Sequence, residues 1–167
     1  PRIIDMGTGS GAIAVSLALE VEGSRVEAID LSDVALEVAS ANAEALGATV
    51  AFAKEDIFAF EAVEGAYDVV VSNPPYIPES EREEMERNVV DFEPSEALFV
   101  PNDEPLIFYE RIADVALRGL REGGLLAFEI HERLAIETAQ MLVRKGFRDV
   151  TTYEDLNSKP RIILCIK

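Results

Sequence analysis

Cysteine is almost missing from this chain: Cys165 stands alone among 167 residues, and histidine is equally scarce, with His131 the sole example. A single cysteine excludes an internal disulfide, and without a Cys/His cluster no zinc site is expected; the sequence suggests no metal of any kind. No apolar run approaches the roughly 20 residues of a membrane span, and no charged-then-apolar leader opens the sequence, so a cytoplasmic protein without a membrane partner is expected. Positive charge is short as well, with 15 Lys and Arg against 32 Asp and Glu and a formal net charge of -17. Nucleic-acid binding draws most of its affinity from cations that neutralise phosphates. The chain is expected to repel a duplex and to suit a basic protein partner.

What is present points to one ordinary α/β domain. At 18.3 kDa and 49% hydrophobic residues, the chain suffices for a single core, since a domain of this size hides roughly 70% of its unfolded surface. Short β-rich runs alternate with helical patterns, the signature of a parallel sheet with helices on both faces. Strands are expected at Arg2 to Met6, Arg25 to Asp30, Thr49 to Ala53, Tyr67 to Ser72, Gly124 to Ile130, Phe147 to Tyr153 and Arg161 to Ile166. Helices are expected over Ala12 to Glu20, from an N-cap at Ser32 to a stop near Gly47, over Leu106 to Leu120 and over Leu134 to Lys145. The last two strands, joined without a helix, should run antiparallel. Tyr67 to Ser72 reads as a central strand buried on both faces. From Ile77 to Asp103 no sheet pattern is clear, although Glu81 to Asn88 suits a short helix.

The glycines of Asp5-Met6-Gly7-Thr8-Gly9-Ser10-Gly11 follow a strand and precede a helix, where missing side chains let a ligand approach the backbone and helix N–H groups face an anion. Asp30, at the end of the second strand, stands where an acid can accept from ribose hydroxyls. Nicotinamide enzymes use the same two features, so they do not choose a cofactor. Asp56 can accept from an adenine amino group, with Ile57 against the ring; the alternative is a solvated loop acid or an N-cap.

Asn73-Pro74-Pro75-Tyr76 ends the apolar run Tyr67 to Ser72, at the edge where open α/β sheets bind ligands. An amide nitrogen is a poor nucleophile because its lone pair is delocalised into the carbonyl. The Asn73 side-chain oxygen and the Pro74 carbonyl are suited to accept its two N–H bonds and aim the lone pair at an electrophilic methyl group, while Tyr76 offers an aromatic face to the flat amide.

Together these residues resemble the class I methyltransferases with an NPPY motif, and within them the HemK/PrmC type. The resemblance runs through Asp5 to Gly11, Asp30-Leu31-Ser32, Asn42-Ala43, Asp56-Ile57-Phe58, Val71 to Ile77, Glu93-Pro94, Ala97-Leu98, Tyr109, Gly123-Gly124, Glu129-Ile130 and Gly146-Phe147. It implies a Rossmann-like sheet of order 3-2-1-4-5-7-6 and S-adenosylmethionine as cofactor. It also implies transfer of a methyl group to the side-chain amide of a glutamine in a peptide chain release factor. The implied cofactor residues are Asp5, Gly7, Thr8, Gly9, Gly11, Asp30, Leu31, Asp56, Ile57 and Asn73; the implied catalytic residues are Asn73, Pro74, Pro75 and Tyr76. The sequence departs from the family at His131, commonly glycine, and at Pro101-Asn102-Asp103-Glu104-Pro105. The family's amino-terminal helical domain is expected to be absent, leaving a single methyltransferase domain. Other substrates remain open: a ribosomal-protein glutamine, or an exocyclic base amine. So do other classes: a cofactor-binding module without its own activity, and a nicotinamide oxidoreductase.

Between Glu79 and Glu96 lie eight acids and two arginines, read as a solvated face or as a segment steering a basic partner loop. His131 is expected to be a hydrogen-bonded structural residue and Cys165 a small core residue. The apolar helix stripes, including Ile136 and Leu142, are read as core.

Overall fold

The computed structural model describes residues 1–75, 77–78, 99–100 and 104–167, with the backbone alone at 77–78 and 99–100. Its elements run β1 (Arg2–Met6), α1 (Ala12–Glu20), β2 (Arg25–Asp30), α2 (Asp33–Leu46), β3 (Val50–Lys54), β4 (Tyr67–Ser72), β5 (Ile77–Pro78) and β6 (Phe99–Val100). They continue with α3 (Ile107–Gly119), β7 (Leu120–Glu129), a 3₁₀ turn at Glu132–Leu134, α4 (Ala135–Lys145), β8 (Arg148–Glu154) and β9 (Pro160–Ile166). The main sheet has seven strands in the order β3-β2-β1-β4-β7-β9-β8. Counted along the chain without the short β5-β6 pair, this is the expected 3-2-1-4-5-7-6. The pairings from β3 through β7 are parallel, and β9 is antiparallel to both β7 and β8.

Local chemistry sets these boundaries. Ser32 caps α2 by accepting from the Ala35 N–H at 3.2 Å, and Gly47 ends it in the left-handed conformation at φ 71. Gly11 enters α1 at φ 79, and a Cβ there would fall 2.9 Å from the Ala39 Cβ, so glycine is required for both the turn and the close approach of α1 to α2. His131 accepts from the Arg133 N–H at 3.2 Å and caps the 3₁₀ turn, the structural role expected of it.

The core has two parts, one on each side of the sheet. Ile4, Met6, Val70, Leu126, Phe128 and Ile163 point to α3 and α4 and meet Tyr109, Ile112, Ala116, Met141 and Leu142. On the other side Ile3, Val26 and Ala28 meet Ala14 of α1. Each fully buried Leu, Ile or Phe contributes about 1.5–3 kcal/mol, so the larger part supplies most of the hydrophobic stabilisation. Cys165 is 1% exposed within it, and burial pushes its thiol up to about 12.

Four expectations need correction. First, β4 is not sealed on both faces: Tyr67, Val70 and Ser72 are buried, but Val69 and Val71 are only half-buried, because α1 packs over β1 and β2 and leaves their side of β4 partly uncovered. Second, Ile136 is 70% exposed; α4 turns Ala135, Thr138, Met141 and Leu142 inward and carries Ile136 on its outer side. Third, β7 begins at Leu120 directly after α3, before a register shift against β4 and the left-handed Gly123. Fourth, the stretch after β4 does hold sheet, since β5 and β6 form a two-residue parallel pair. The suggested helix at Glu81 to Asn88, the acidic segment and Tyr76 lie outside the described residues. Among the described residues, no helix is long and apolar enough to cross a membrane.

Candidate functional site

The strand order reverses between β1 and β4. β1 is followed by β2 on one side, while β4 lies on the other, which opens a crevice at their carboxyl ends where ligands bind in open α/β sheets. Both sequence-identified turns emerge there. Gly7 and Thr8 donate to the Ile29 carbonyl at 2.9 and 3.0 Å, rooting the glycine turn on the end of β2, and Gly11 donates back to Thr8 at 2.9 Å. Asn42 of α2 reaches the Ser10 carbonyl at 2.9 Å. Among the described residues, no atom beyond the turn's own neighbouring residues lies within 4 Å of where a Gly9 Cβ would be, so the middle of the turn is an open cradle.

Three acids surround this turn, and each is held differently. Asp5 lies beneath it, 1% exposed, accepting the Thr8 hydroxyl at 2.7 Å on Oδ2, while among the described residues Oδ1 meets no donor at hydrogen-bonding geometry. Burial raises its carboxyl to about 6, against the opposing pull of the Thr8 hydroxyl and the Ala14 N–H in the first turn of α1. Asp30 accepts from the Gly9 N–H on Oδ2 and the Ser32 N–H on Oδ1, both at 2.9 Å. Leu31 beside it is 61% exposed. Asp56 accepts the Phe58 N–H at 2.8 Å on Oδ1, and Ile57 turns inward at 8% exposure with its Cδ1 3.5 Å from the Gly7 Cβ position.

At the neighbouring strand end, Ser72 is fully buried and donates to the Met6 carbonyl at 2.5 Å, tying the end of β4 to the root of the glycine turn. Asn73 follows, exposed, with Pro74 buried and Pro75 half-buried. The structure therefore brings Asp5, the three glycines, Thr8, Asp30, Leu31, Asp56, Ile57 and Asn73 to Pro75 to one edge of the sheet. Sequence reasoning assigned nothing to Ser72, or to Arg111, which reaches the Asp56–Phe60 loop from α3. The alternation of β4 could have marked Ser72 as inward-facing; nothing in the sequence marks Arg111.

An open glycine cradle at a helix start and a carboxylate at the end of β2 fit the ribose end of a nucleotide cofactor. Residues 1–92 match the family described as Methyltransferase small domain. The release factor glutamine methyltransferase of Bacteroides thetaiotaomicron is 45% identical over 163 residues, covering 97% of this chain and 59% of that protein. That of Chlorobaculum tepidum is 42% identical over 171 residues, covering 99% and 57%. The chain thus spans under three fifths of these curated relatives. Among solved structures, a methyltransferase from Pyrococcus furiosus superposes with a TM-score of 0.72 at 19% identity, over 99% of this chain and 74% of that one. A SAM-dependent methyltransferase from Aquifex aeolicus gives 0.68 at 16%, over 99% and 81%. The fold, the paired turns at one sheet edge and the matched residues together establish that this chain belongs to the methyltransferase small domain family.

Proposed function

We propose that the chain is the catalytic part of an S-adenosylmethionine-dependent enzyme that methylates the side-chain amide of a glutamine in a peptide chain release factor, a substrate met in the cytoplasm. The observation that carries this reading is the junction of β1 and β4, where Ser72 binds the Met6 carbonyl and brings the Asn73-Pro74-Pro75 turn beside the glycine cradle. S-adenosylmethionine, when bound, supplies the electrophilic methyl group. The chain's own residues do the rest. Asn73 and the Pro74 carbonyl accept the N–H groups of the glutamine amide and orient its nitrogen, proline rigidity fixes that carbonyl in advance, and Tyr76 packs against the amide. Gly7, Gly9 and Gly11 leave room for the cofactor, Asp30 accepts from its ribose hydroxyls, and Asp56 and Ile57 address the adenine. Asp5 and Thr8 support the turn from beneath, and Leu31 lies alongside the ribose.

The engagement of Gly9 argues against the nicotinamide alternative. A dinucleotide pyrophosphate needs the backbone N–H groups of such a turn, and here the Gly9 N–H is already given to Asp30. Carboxylates around the cradle also suit a cofactor carrying a sulfonium and an ammonium better than one carrying two phosphates. The net charge of -17 weighs for a protein substrate over a nucleic acid. The curated relatives bear the same activity in their names.

Mass spectrometry of release-factor and ribosomal-protein substrates after incubation with the chain and S-adenosylmethionine tests the reading. One added methyl on a release-factor glutamine, lost in Asn73→Ala, is the expected result. Measured cofactor binding with no methyl on any substrate would replace it with a binding module that depends on the remainder of a longer protein.

A further inference from the structure

Arg111 sits on α3, outside the two turns, yet its guanidinium is committed to the backbone of another part of the chain. Its Nε donates to the Ile57 carbonyl at 3.0 Å and a terminal nitrogen donates to the Phe60 carbonyl at 2.6 Å. Three residues earlier on the same helix face, Phe108 meets Phe58 edge-on with ring centroids 5.0 Å apart. α3 therefore grips the loop that carries Asp56 at two points. The Arg111 side chain is only 23% exposed, a setting in which hydrogen bonds from a charged donor are stronger than at the open surface. The Glu61 carboxylate, 3.8 Å from it, is 65% exposed and contributes little.

The loop's internal bonds shape it without placing it. The Asp56 carbonyl accepts from Ala59 at 3.0 Å and Phe60 at 2.8 Å, and its carboxylate accepts from Phe58, so all three close within five residues. The loop is tied to the glycine-turn side by the Glu55 N–H on the Asp30 carbonyl at 3.1 Å and by Ile57 turned inward toward Gly7, and on its far side by the guanidinium fork on the carbonyls of Ile57 and Phe60. A planar fork bonded to two carbonyls of one loop sets both position and orientation, which a single flexible ammonium does not.

We propose that Arg111 is the positioning residue for recognition of the cofactor's base. By holding the Ile57 and Phe60 carbonyls from α3, it fixes the Asp56 carboxylate and the Ile57 side chain against the glycine turn and thereby sets selectivity for a 6-aminopurine. The proposal rests on the S-adenosylmethionine reading above. A 6-amino group donates to a carboxylate held in place; a 6-oxo group presents an acceptor to the same carboxylate and loses the bond.

Calorimetric binding of S-adenosylhomocysteine and S-inosylhomocysteine to the wild type, Arg111→Met, Arg111→Lys and Glu61→Gln reads this selectivity as a ratio. The wild type should prefer the amino form by about tenfold or more, the loss expected for one hydrogen bond to a charged acceptor. Arg111→Met should bring the ratio to within about twofold, Arg111→Lys should fall between, and Glu61→Gln should keep the wild-type value. A general loosening would weaken both ligands alike and leave the ratio untouched. An Arg111→Met protein with the wild-type ratio would overturn the proposal, as would a wild type without preference; if Arg111→Met does not fold, the same judgement falls on Arg111→Lys. A wild type that binds neither ligand would overturn the cofactor reading and Arg111's role with it, distinguished by lost binding instead of lost preference.

Discussion

At the carboxyl edge of the main sheet Asp30 takes its hydrogen bonds from the backbone N–H groups of Gly9 and Ser32, whereas at the amino edge Asp68 takes its from the Arg2 N–H and the Arg121 guanidinium. Glu27 repeats the second pattern, receiving the Arg2 guanidinium at 3.0 Å and the Tyr67 hydroxyl at 2.8 Å, with Arg2 also 5.5 Å from the centre of the Tyr67 ring. Neutral donors stabilise a carboxylate without cancelling its charge; a guanidinium does both. The charge of Asp30 is therefore left uncancelled by its protein partners, while Asp68 and Glu27 spend theirs on cohesion. Under the proposed function, the same residue type serves recognition at one end of the strands and stapling at the other.

The largest effect that would sharpen this contrast belongs to Asn73. Asn73→Ala should lower the methyl-transfer rate at least about 100-fold, the scale of losing one preorganised polar group, with S-adenosylhomocysteine affinity changed only a few-fold. Rates from single-turnover mass spectrometry decide it, and a near-normal rate would remove the orienting role.

Asp5 comes next. Its folded value of about 6 lies above the ordinary 3.8, so the folded state holds this proton more tightly than the unfolded chain. That contribution is fully present below about pH 4 and is lost as the pH rises through about 6. Asp5→Asn keeps an oxygen for the Thr8 hydroxyl and should gain stability relative to the wild type between pH 4 and 7, by on the order of 3 kcal/mol at most. Denaturation midpoints with the same pH slope in both proteins would mean that Asp5 is not held neutral by burial.

Asp30→Asn should weaken S-adenosylhomocysteine by about tenfold, one charge-assisted bond to the ribose, while leaving the thermal midpoint near the wild type. If the midpoint fell and affinity held, Asp30 would belong with the structural acids of the opposite edge. The smallest effect is expected at that edge. Arg121→Ala should move Tm by no more than about 2 °C, because the pair is exposed and screened, and should leave cofactor affinity unchanged.

Most of the architecture was legible because it rests on period and punctuation. β1, α1, β2 and β4 begin and end at the expected residues: Pro1 and Gly7 flank β1, Gly11 and Gly23 flank α1, Gly65 and Pro74 flank β4, and β2 runs from just after Gly23 to the Ser32 cap of α2. The start of β7 was hidden because Arg121-Glu122-Gly123-Gly124 has no strand period and Gly123 occupies the left-handed region. The β5-β6 pair is too short to have a period at all. Motifs picked out the glycines, Asp30, Asp56 and Asn73, which the fold gathers at one sheet edge, because their spacing along the chain carries the signal. Ser72 and Arg111 escaped because their partners are backbone carbonyls 66 and at least 51 positions away, and any residue presents the same carbonyl. The burial of Asp5 follows from its place in β1, which is buried on both faces from Ile3 to Met6.

The bond from Ser72 to the Met6 carbonyl bears on how such domains can be recombined. A turn proposed to hold the substrate and closed onto a particular point of the neighbouring strand is no detachable module: transplanting Asn73 to Tyr76 alone into a related scaffold would carry the proposed chemistry but leave its anchor behind. Grafts that include the serine, placed in the parallel register that sets Asp5 against Val71, should be the ones in which a new acceptor specificity survives the transfer.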